Sequence, residues 1–343
     1  MNRPVTQAMV AAHAGVSRAL VSLVLRNSPQ VSEERRAAVL RAMSELGYRP
    51  NAAARHLGRR THTIGVVIQD LHYPFFAEVV DGISSAAEAA GLQVLINTGF
   101  RNPTVEQRAL DTFLEARTDG VVLIAPQLAN EKIEVVGVSA PTVVVGRPGT
   151  SDRFDSVHTH DEQGAILATE HLIGLGHRRI LHVDAPLTDR NASSEGRRAG
   201  YTRAMRGAGL AGLARSVPDM PVDYAELDTI GSPDPSWFHD GEPPTAVFAH
   251  NDFIALTAAR RFAVARPAVR LAVVGYDNTA LASLSTPGLT TVDQPRRRMG
   301  ELAVEMIVER IGGRSGGRHE TLEPHLVVRQ TSIAPSEPVE PTR

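Results

Sequence analysis

The stretch TQAMVAAHAGVSRALVSLVLR, residues 6–26, predicts two short helices joined by a tight turn. Thr6 and Ser17 are good N-cap residues, and a short apolar stripe with helical spacing follows each of them. Gly15 stands at the end of the first helix, where a residue in the left-handed conformation is favoured. Met9 is expected to face inward. The segment therefore predicts a helix-turn-helix.

A third helix is predicted to start after Ser32 and to end at Gly47, which completes a small three-helix head. In a helix-turn-helix, the first residues of the second helix reach base edges in the major groove, and nearby hydroxyl groups hold phosphates. Arg18 is therefore the predicted base reader. Ser17 and Ser22 are the predicted phosphate contacts.

The charge of the chain is distributed unevenly along it. Residues 1–60 contain ten Arg and three Glu, a net +7, whereas the other 283 residues carry 26 basic and 35 acidic side chains, a net −9, so that the sum is −2. A basic head on an acidic body predicts a polyanionic partner for the head alone. Charge by itself is equally compatible with a solvated basic face.

The composition is that of a globular protein and excludes several kinds of chemistry. The 343 residues are 42% hydrophobic and 22% charged, which argues against wholesale disorder. The absence of cysteine excludes disulfides, zinc–thiolate sites and cysteine nucleophiles. No apolar run reaches the roughly 18–20 residues of a membrane span, and the first residues lack the pattern of a signal peptide. A cytoplasmic location without membrane contact is expected.

No catalytic motif supports an enzyme. The run 207–212 matches G-x-G-x-x-G, but it follows a predicted helix rather than a strand, so a dinucleotide loop is not expected. His158, His160, His171 and His177 lack a convergent third ligand, and we interpret them as solvent-facing or strand-end residues. The sequence therefore predicts no cofactor and no metal site.

From Thr63 onward, apolar strands alternate with amphipathic helices. We predict seven strands, at 64–68, 92–97, 121–125, 142–146, 180–183, 246–250 and 271–276. Continuous runs of Val, Ile and Leu predict buried parallel sheets. Because this region is too long for one doubly wound sheet, two similar α/β subdomains are expected, with a ligand site between them at the carboxyl ends of the strands.

Polar side chains follow several of these strands. Asp70 comes after the first strand, Asn251 and Asp277 follow two later ones, and Arg197 begins a helix of the second subdomain. Asp, Asn and Arg beside aromatic rings are what a polyhydroxylated ligand needs. Each residue alone is equally suited to a turn or a helix cap. Their recurrence at successive strand ends is what favours a site.

The run GVSRALVSLVLRNSPQVSEERRAAVLRAMSELGYRPNAAARHL, residues 15–57, resembles the DNA-binding head and hinge of the lactose-repressor (LacI/GalR) family of bacterial transcription regulators. This resemblance implies a hinge helix whose Leu57 intercalates in the minor groove. Leu23 departs from the family's pattern, which often has an Arg that reads DNA there. The DNA contacts predicted from the motif and the resemblance together are Thr6, Ser17, Arg18, Ala19, Ser22, Arg26, Tyr48, Asn51, Ala54 and Leu57.

Five later segments look like the family's effector-domain signatures in their usual order: 171–180, 249–256, 273–278, 287–295 and 326–332. The effector contacts that the resemblance implies are Asp70, Phe76, Arg197, Asn251, Asp277 and Gln294. The family also places an aromatic ring against the ligand. Tyr224 and Trp237 are the two candidates for that ring.

The expected fold is an N-terminal all-α helix-turn-helix head with a hinge helix, followed by an α/β body of two periplasmic-binding-protein-like (Rossmann-like) subdomains. The expected limits are 1–50 for the head, 51–61 for the hinge helix and linker, 62–333 for the effector-binding and dimerisation domain, and 334–343 for a disordered tail. Within the domain, the first subdomain covers about 62–160 and 292–323, and the second covers about 161–291 and 324–333.

These features predict a homodimeric, sequence-specific transcription regulator, and they favour a repressor. Its affinity for a pseudo-palindromic double-stranded DNA operator would be controlled by a small-molecule effector bound between the subdomains. A sugar is the main candidate for this effector. The alternative is a sugar-binding transport receptor, which shares the two-subdomain body. Such a receptor needs a signal peptide and no DNA-binding head, and this sequence shows the reverse.

Overall fold

The structure is a computed structural model. It describes residues 5–26, 28–48, 60–187, 191–219, 227, 230–238, 242–266 and 270–335. The chain divides into two compact units, Met1–Thr61, which we call the head, and His62–Arg343, which we call the body.

Three helices form the described part of the head: α1 (Gln7–His13), α2 (Arg18–Leu25) and α3 (Glu33–Leu46). The hydroxyl of Thr6 accepts a hydrogen bond from the backbone N–H of Met9 at 3.4 Å. The hydroxyl of Ser17 accepts one from the backbone N–H of Leu20 at 3.2 Å. Both N-caps therefore form where the sequence predicts them, and each satisfies a donor that the helix itself leaves without a partner.

The turn between α1 and α2 uses the left-handed backbone of Gly15, whose φ is 66°. The two helices meet at a bend of 106°, as in other helix-turn-helix motifs. Val10, Val21 and Val39 are fully buried at the centre of the head. The expectation that Met9 faces inward is wrong, because its side chain is 45% exposed and the buried face of α1 begins one residue later.

No single helix in the described part of the chain is long and apolar enough to cross a membrane. Neither α1 nor α2 is long enough by itself, and only the two helices taken together across their bend reach that length and apolar composition.

The described residues of the body form two six-stranded sheets. The first sheet consists of β1 (Thr63–Ile68), β2 (Gln93–Thr98), β3 (Gly120–Ile124), β4 (Thr142–Val145), β5 (Asp155–Thr159) and β11 (His319–Leu322). Its strands are parallel and lie in the order β11-β5-β4-β3-β1-β2. Together with the helices that pack on it, this sheet forms what we call the first lobe. These helices are α4 (Pro74–Ala89), α5 (Pro103–Glu115), α6 (Asn130–Ser139) and α11 (Arg296–Ile311).

The second sheet consists of β6 (Ile180–Asp184), β7 (Arg215–Pro218), β8 (Ala246–Ala249), β9 (Ala272–Asp277), β10 (Thr290–Asp293) and β12 (His325–Val327). Its order is β12-β10-β9-β8-β6-β7, and β12 runs antiparallel to β10 while the others are parallel. With its helices it forms the second lobe. These helices are α7 (Asp161–Gly174), α8 (Ala192–Gly207), α9 (Asp252–Ala265) and α10 (Ala280–Leu284).

The central strands are buried and mostly apolar because helices cover both faces of each sheet. Every residue of β3, β4, β8 and β9 is buried. In the first lobe, α4 and α11 pack against each other closely enough that a Cβ at Gly300 would lie 2.2 Å from the carbonyl oxygen of Val79. A glycine is therefore required at this crossing.

The described chain passes between the lobes three times, from β5 to α7, from β10 to α11 and from β11 to β12. Within the first lobe, Asp155 ties the end of α11 to the start of β5. Its fully buried carboxylate accepts hydrogen bonds from Arg310 at 2.8 Å, from Arg314 at 2.6 Å and from the backbone N–H of Arg318 at 2.7 Å. Burial opposes ionisation, but these hydrogen bonds outweigh it and lower the pKa of Asp155.

Asp155→Asn is expected to lower the free energy of unfolding by about 3 kcal/mol, because it leaves partly buried guanidinium groups without their counter-charge. A carboxyl whose pKa is lowered by folding stabilises the protein above its ordinary pKa and loses that contribution as the pH falls through the folded value. Urea unfolding at neutral and at acid pH should therefore show a less stable variant with a weaker acid destabilisation.

Glu305→Gln is the control, since Glu305 forms an exposed ion pair with Arg298 at 2.7 Å. It should change the free energy of unfolding by less than about 0.5 kcal/mol. Equal losses in the two variants would contradict the role assigned to Asp155.

Candidate functional site

A cavity of about 260 Å³ lies between the two lobes. It is formed at the carboxyl ends of the parallel strands, which is where open α/β folds bind their ligands. The first lobe contributes Gln69, Tyr73, Phe75, Phe76 and Arg101, among others, and the second lobe contributes Asp161, Arg197, His250, Asn251, Asp277 and Gln294.

Five of the six residues predicted as effector contacts line this cavity: Phe76, Arg197, Asn251, Asp277 and Gln294. The fold thus brings together side chains from the starts of α4, α8 and α9 and from the ends of β9 and β10. Asp70 is not among the lining residues. Its carboxylate instead accepts a hydrogen bond at 2.9 Å from Arg101, which does line the cavity.

Arg197 is a buried cation with partners on several sides. Its Nε donates to Asp161 at 2.8 Å, its Nη1 donates to the backbone carbonyl of His250 at 2.6 Å, and its Nη2 lies 3.7 Å from Asp277. The guanidinium also lies over the ring of Tyr276, with Cζ 3.7 Å from the ring centroid. Burial alone would lower the pKa of Arg197, but the two carboxylates outweigh burial and raise it. The side chain is therefore charged.

Asp277 is the carboxylate at which the two lobes meet. The hydroxyl of Tyr73, from the first lobe, and the amide of Gln294 both donate to it. Gln294 is held in turn by the hydroxyl of Thr159, which donates to its carbonyl oxygen at 2.6 Å. Burial raises the pKa of Asp277, although Arg197 and the two donors act in the opposite direction. Its φ of 101° is rare for a residue other than glycine, and such strain is concentrated at functional sites.

Asn251 and Asp252 begin α9 beside the cavity. The Oδ1 atom of Asn251 caps the helix by accepting a hydrogen bond from the backbone N–H of Ile254 at 2.8 Å, so Asn251 is both a helix cap and a cavity residue. Asp252 is fully buried, and it accepts hydrogen bonds from the hydroxyl of Thr291 at 2.5 Å and from the hydroxyl of Thr279 at 2.9 Å.

The aromatic wall of the cavity comes from the first lobe. Tyr73, Phe75 and Phe76 all line the cavity, and their ring centroids lie 5.5–6.5 Å apart. Trp237 is not a cavity residue, because its ring is 1% exposed and lies within the core of the second lobe. Tyr224, the other candidate for the stacking ring, lies outside the described residues.

Sequence reasoning missed the contributions of Asp161 and His250. Asp161 follows β5, a strand whose sequence DSVHT is too polar for the apolar pattern to reveal. The predicted strand 246–250 includes His250 as a strand residue. In the structure the strand ends at Ala249, so His250 lies at the strand end next to Asn251. Burial, followed by the charge of Arg197, lowers the pKa of His250 well below its ordinary value, so the cavity contains a neutral imidazole.

Two of the histidines considered as metal ligands, His171 and His177, make other contacts. Within the described ranges, no three His, Asp or Glu side chains are placed to hold a metal ion. The Nε2 atom of His171 lies 2.9 Å from the hydroxyl of Ser332, and the Nε2 atom of His177 lies 2.7 Å from the carbonyl oxygen of Ile333. These two side chains fasten the segment after β12 to the second lobe.

In the head, α2 presents its first turn to solvent. Ser17, Arg18 and Ala19 are exposed there, Ser22 is half-buried, and Arg26 is exposed at the end of the helix. Because the Ser17 oxygen caps α2 as an acceptor, its hydroxyl proton remains available for a phosphate. Of the other predicted contacts, Thr6 is exposed and Tyr48 is half-buried. The hinge positions Asn51, Ala54 and Leu57 lie outside the described residues.

Comparison with known proteins gives matches over nearly the whole chain. Residues 9–51 match the model of bacterial regulatory proteins of the lacI family, and residues 169–332 match that of a periplasmic binding protein-like domain. The transcriptional repressor PurR of Vibrio vulnificus is 33% identical over 330 residues, which cover 94% of this chain and 97% of PurR.

Solved structures extend this similarity to the fold. The lac repressor dimer bound to operator and an anti-inducer is 28% identical, with a TM-score of 0.75, and the match covers 97% of this chain and 100% of that one. The regulator CelR in complex with cellobiose is 31% identical, with a TM-score of 0.66, and the match covers 96% of this chain and 100% of that one.

A helix-turn-helix head and a two-lobed body with a cavity at its strand ends define a ligand-responsive, DNA-binding transcription regulator. Within that class, the chain belongs to the lacI family of bacterial regulatory proteins. It is a transcriptional repressor of this family, in which the head binds DNA and the body binds a small-molecule effector.

Part of the pH dependence of stability is expected to come from Asp252. Burial and the Asp277 carboxylate raise the pKa of Asp252 to about 7, against the opposing hydrogen bonds of Thr291 and Thr279. A carboxyl with a raised folded pKa stabilises the protein below its ordinary pKa of about 4, and it loses that contribution as the pH rises towards 7. Asp252→Asn should make this decline shallower, by at most about 1.4 kcal/mol per pH unit.

Urea unfolding at closely spaced pH values between these limits measures the effect. Asp111→Asn, at an exposed position of α5, is the control and should leave the slope of the wild-type protein unchanged. Identical slopes in Asp252→Asn and the wild-type protein would contradict the expectation.

Proposed function

We propose that this chain is a homodimeric repressor that acts in the cytoplasm on a pseudo-palindromic operator, and that its effector is an uncharged, polyhydroxylated molecule, a sugar. It acts by binding alone, without catalysis. The observation that carries the proposal is the cavity between the lobes, where the buried charge of Arg197 is already paired with two carboxylates beside an aromatic wall. The domain limits, the DNA contacts and the effector contacts predicted from the sequence belong to the same proposal.

The balance of charges in the cavity favours an uncharged effector. Arg197 is already paired with Asp161 and Asp277, and Arg101 is paired with Asp70. A ligand phosphate or carboxylate that bound either guanidinium would displace the Asp side chain paired with it. That Asp would lose its counter-charge, which is costly when the group is buried. Hydroxyl groups both donate and accept, so they can join such a network without adding charge.

The shape of the cavity supports the same class of ligand. Its volume of about 260 Å³ is near the lower limit of the range of roughly 300–1,000 Å³ for small-molecule sites. The rings of Tyr73, Phe75 and Phe76 offer an apolar surface to the C–H face of a sugar ring. A relative of comparable length, CelR, has been solved with cellobiose.

A homodimer is supported by the geometry of DNA recognition. One helix-turn-helix head reads one half-site, and a pseudo-palindromic operator presents two half-sites about 34–36 Å apart. Two copies of the chain therefore match the two-fold symmetry of such an operator. The lac repressor structure similar to this chain is a dimer bound to its operator.

A sugar-binding transport receptor would share the two-lobed body. The match of residues 9–51 to the lacI-family head disfavours it, because a transport receptor has no use for a DNA-binding helix-turn-helix. The seven net positive charges of residues 1–60 add to this argument.

Arg18→Ala is expected to weaken binding to the specific operator by about 1–3 kcal/mol, the contribution of one bidentate contact to a guanine. Binding to random DNA should change less. The operator is first selected from random duplexes with the purified wild-type protein. Fluorescence anisotropy at one fixed salt concentration then measures both affinities.

Arg41→Ala is the matched control, because it removes the same charge from an exposed position of α3. This variant should weaken specific and random binding equally. If Arg18→Ala also weakened them equally, Arg18 would not be a base reader.

The proposed effector class is tested with a panel of uncharged mono- and disaccharides, sugar phosphates and nucleosides. A ligand that binds only the folded protein raises its melting temperature, and we expect this for an uncharged sugar. The same sugar should change operator affinity by a coupling of about 1–3 kcal/mol. Asp277→Asn should lose the response, whereas Asp111→Asn should keep it. Stabilisation by sugar phosphates alone, or by nucleosides alone, would contradict the proposal.

A further inference from the structure

Tyr73 and Asp277 are separated by 204 positions in sequence and belong to different lobes, yet their side chains share a hydrogen bond inside the cavity. Tyr73 precedes the first residue of α4 in the first lobe, and Asp277 ends β9 in the second. Both side chains are buried. The bond therefore joins the lobes directly, across the space that an effector would occupy.

Neither partner of this bond is free to follow the other if the lobes separate. The ring of Tyr73 packs against Phe75 and Phe76, with centroids at 6.5 and 6.4 Å. Asp277 is held by Gln294, and its φ of 101° together with the φ of 51° at Asn278 fixes a sharp backbone turn. Opening of the cleft must therefore break the bond rather than stretch it.

The same bond occupies part of the carboxylate that an effector needs. One oxygen of Asp277 accepts the hydrogen bond of Tyr73, and the other accepts that of Gln294 and lies 3.7 Å from Arg197. Two neighbouring hydroxyl groups of a sugar bind a carboxylate best when each donates to one oxygen. Each carboxylate oxygen can accept two hydrogen bonds, but Asp277 is only 3% exposed with Tyr73 in place. A sugar that donates to both oxygens therefore competes with the hydroxyl of Tyr73 for access.

We infer that the hydroxyl of Tyr73 is a latch that favours the closed arrangement of the lobes, and that an effector which binds Asp277 must replace it. Tyr73 is a positioning residue, since it acts through Asp277 and through the closure of the lobes. The part of the inference that concerns the effector rests on the function proposed above. The part that concerns closure is tested in the protein without ligand.

The test measures the distance between the lobes in the full-length protein without ligand. The chain contains no cysteine, so Lys132→Cys and Arg206→Cys provide one spin-label site on the exposed surface of each lobe. Labelled chain is mixed with an excess of unlabelled chain, so that a dimer carries a single labelled subunit. Double electron–electron resonance then gives the populations of closed and open cleft.

Tyr73→Phe keeps the ring and removes only the hydroxyl. A hydrogen bond to a buried carboxylate is strong enough for its loss to raise the ratio of open to closed molecules about tenfold or more. A distance distribution identical to that of the parent protein would overturn the inference.

Tyr201→Phe is the matched control, because it also removes a buried tyrosine hydroxyl. That hydroxyl donates to the carbonyl of Ile180 at 2.7 Å and accepts from the backbone N–H of Arg215 at 2.8 Å, and all three residues belong to the second lobe. Tyr201→Phe should destabilise the protein without changing the distance between the lobes. If it opened the cleft as much as Tyr73→Phe, the opening would reflect general destabilisation, and the latch would be rejected.

The distance measurement separates failure of this inference from failure of the proposed function. If no sugar of the panel binds, the effector class is wrong, and the distances still decide whether Tyr73 closes the cleft. With a sugar that stabilises the wild-type protein, isothermal calorimetry should show tighter binding to Tyr73→Phe. Weaker binding would make Tyr73 a direct ligand contact and would overturn the competition.

Discussion

The body of this protein depends on the burial of one guanidinium group, that of Arg197, in a low-dielectric interior. A charge in that position is tolerated only if its partners are in place. These partners come from distant elements: Asp161 from the start of α7, the carbonyl of His250 from the end of β8, and Asp277 from the end of β9. The strand order of the second sheet and the crossing after β5 are what bring these groups to one point. The ligand site is therefore also the place where distant elements of the second lobe are held together by buried charge.

The head was predicted in detail because its structure is determined locally. The caps at Thr6 and Ser17 and the left-handed turn at Gly15 each depend on residues within a few positions, and the structure confirms all three. The error at Met9 has a physical reason. A helix of seven residues has a narrow buried face, and the sequence pattern does not specify its edge to within one residue.

In the body, the seven strands predicted from apolar runs are all present, whereas β5, β7, β10, β11 and β12 were missed. Four of the missed strands, β5, β7, β10 and β11, contain several polar residues, and β12 has only three residues. β5 shows the effect of polarity most clearly. Its first residue, Asp155, can be buried because Arg310, near the end of α11, and Arg314, just after that helix, reach it from more than 150 positions later. An apolar pattern cannot reveal a strand whose polar residues are satisfied by partners so far away.

The candidate site shows the same limit. The strand-end pattern and the family resemblance together located five of six predicted contacts in the cavity, because the carboxyl ends of parallel strands meet by necessity. Neither the strand-end pattern nor the resemblance predicted which of those residues pair with one another. The bond of Tyr73 to Asp277 depends on how closely the two lobes approach. That distance is a property of the packed body and not of any local segment.

The path of the chain through the lobes has a consequence for its synthesis. The first lobe is not a continuous segment, since α11 follows all of the second lobe except its last strand, β12, and yet supplies Met299, Met306 and Ile307 to the first-lobe core. Domains tend to fold as they leave the ribosome, beginning at the N-terminus. The head has its own small core and can fold early, but the first lobe must wait for nearly the whole polypeptide. A nascent chain therefore possesses its DNA-binding unit long before it can sense a ligand.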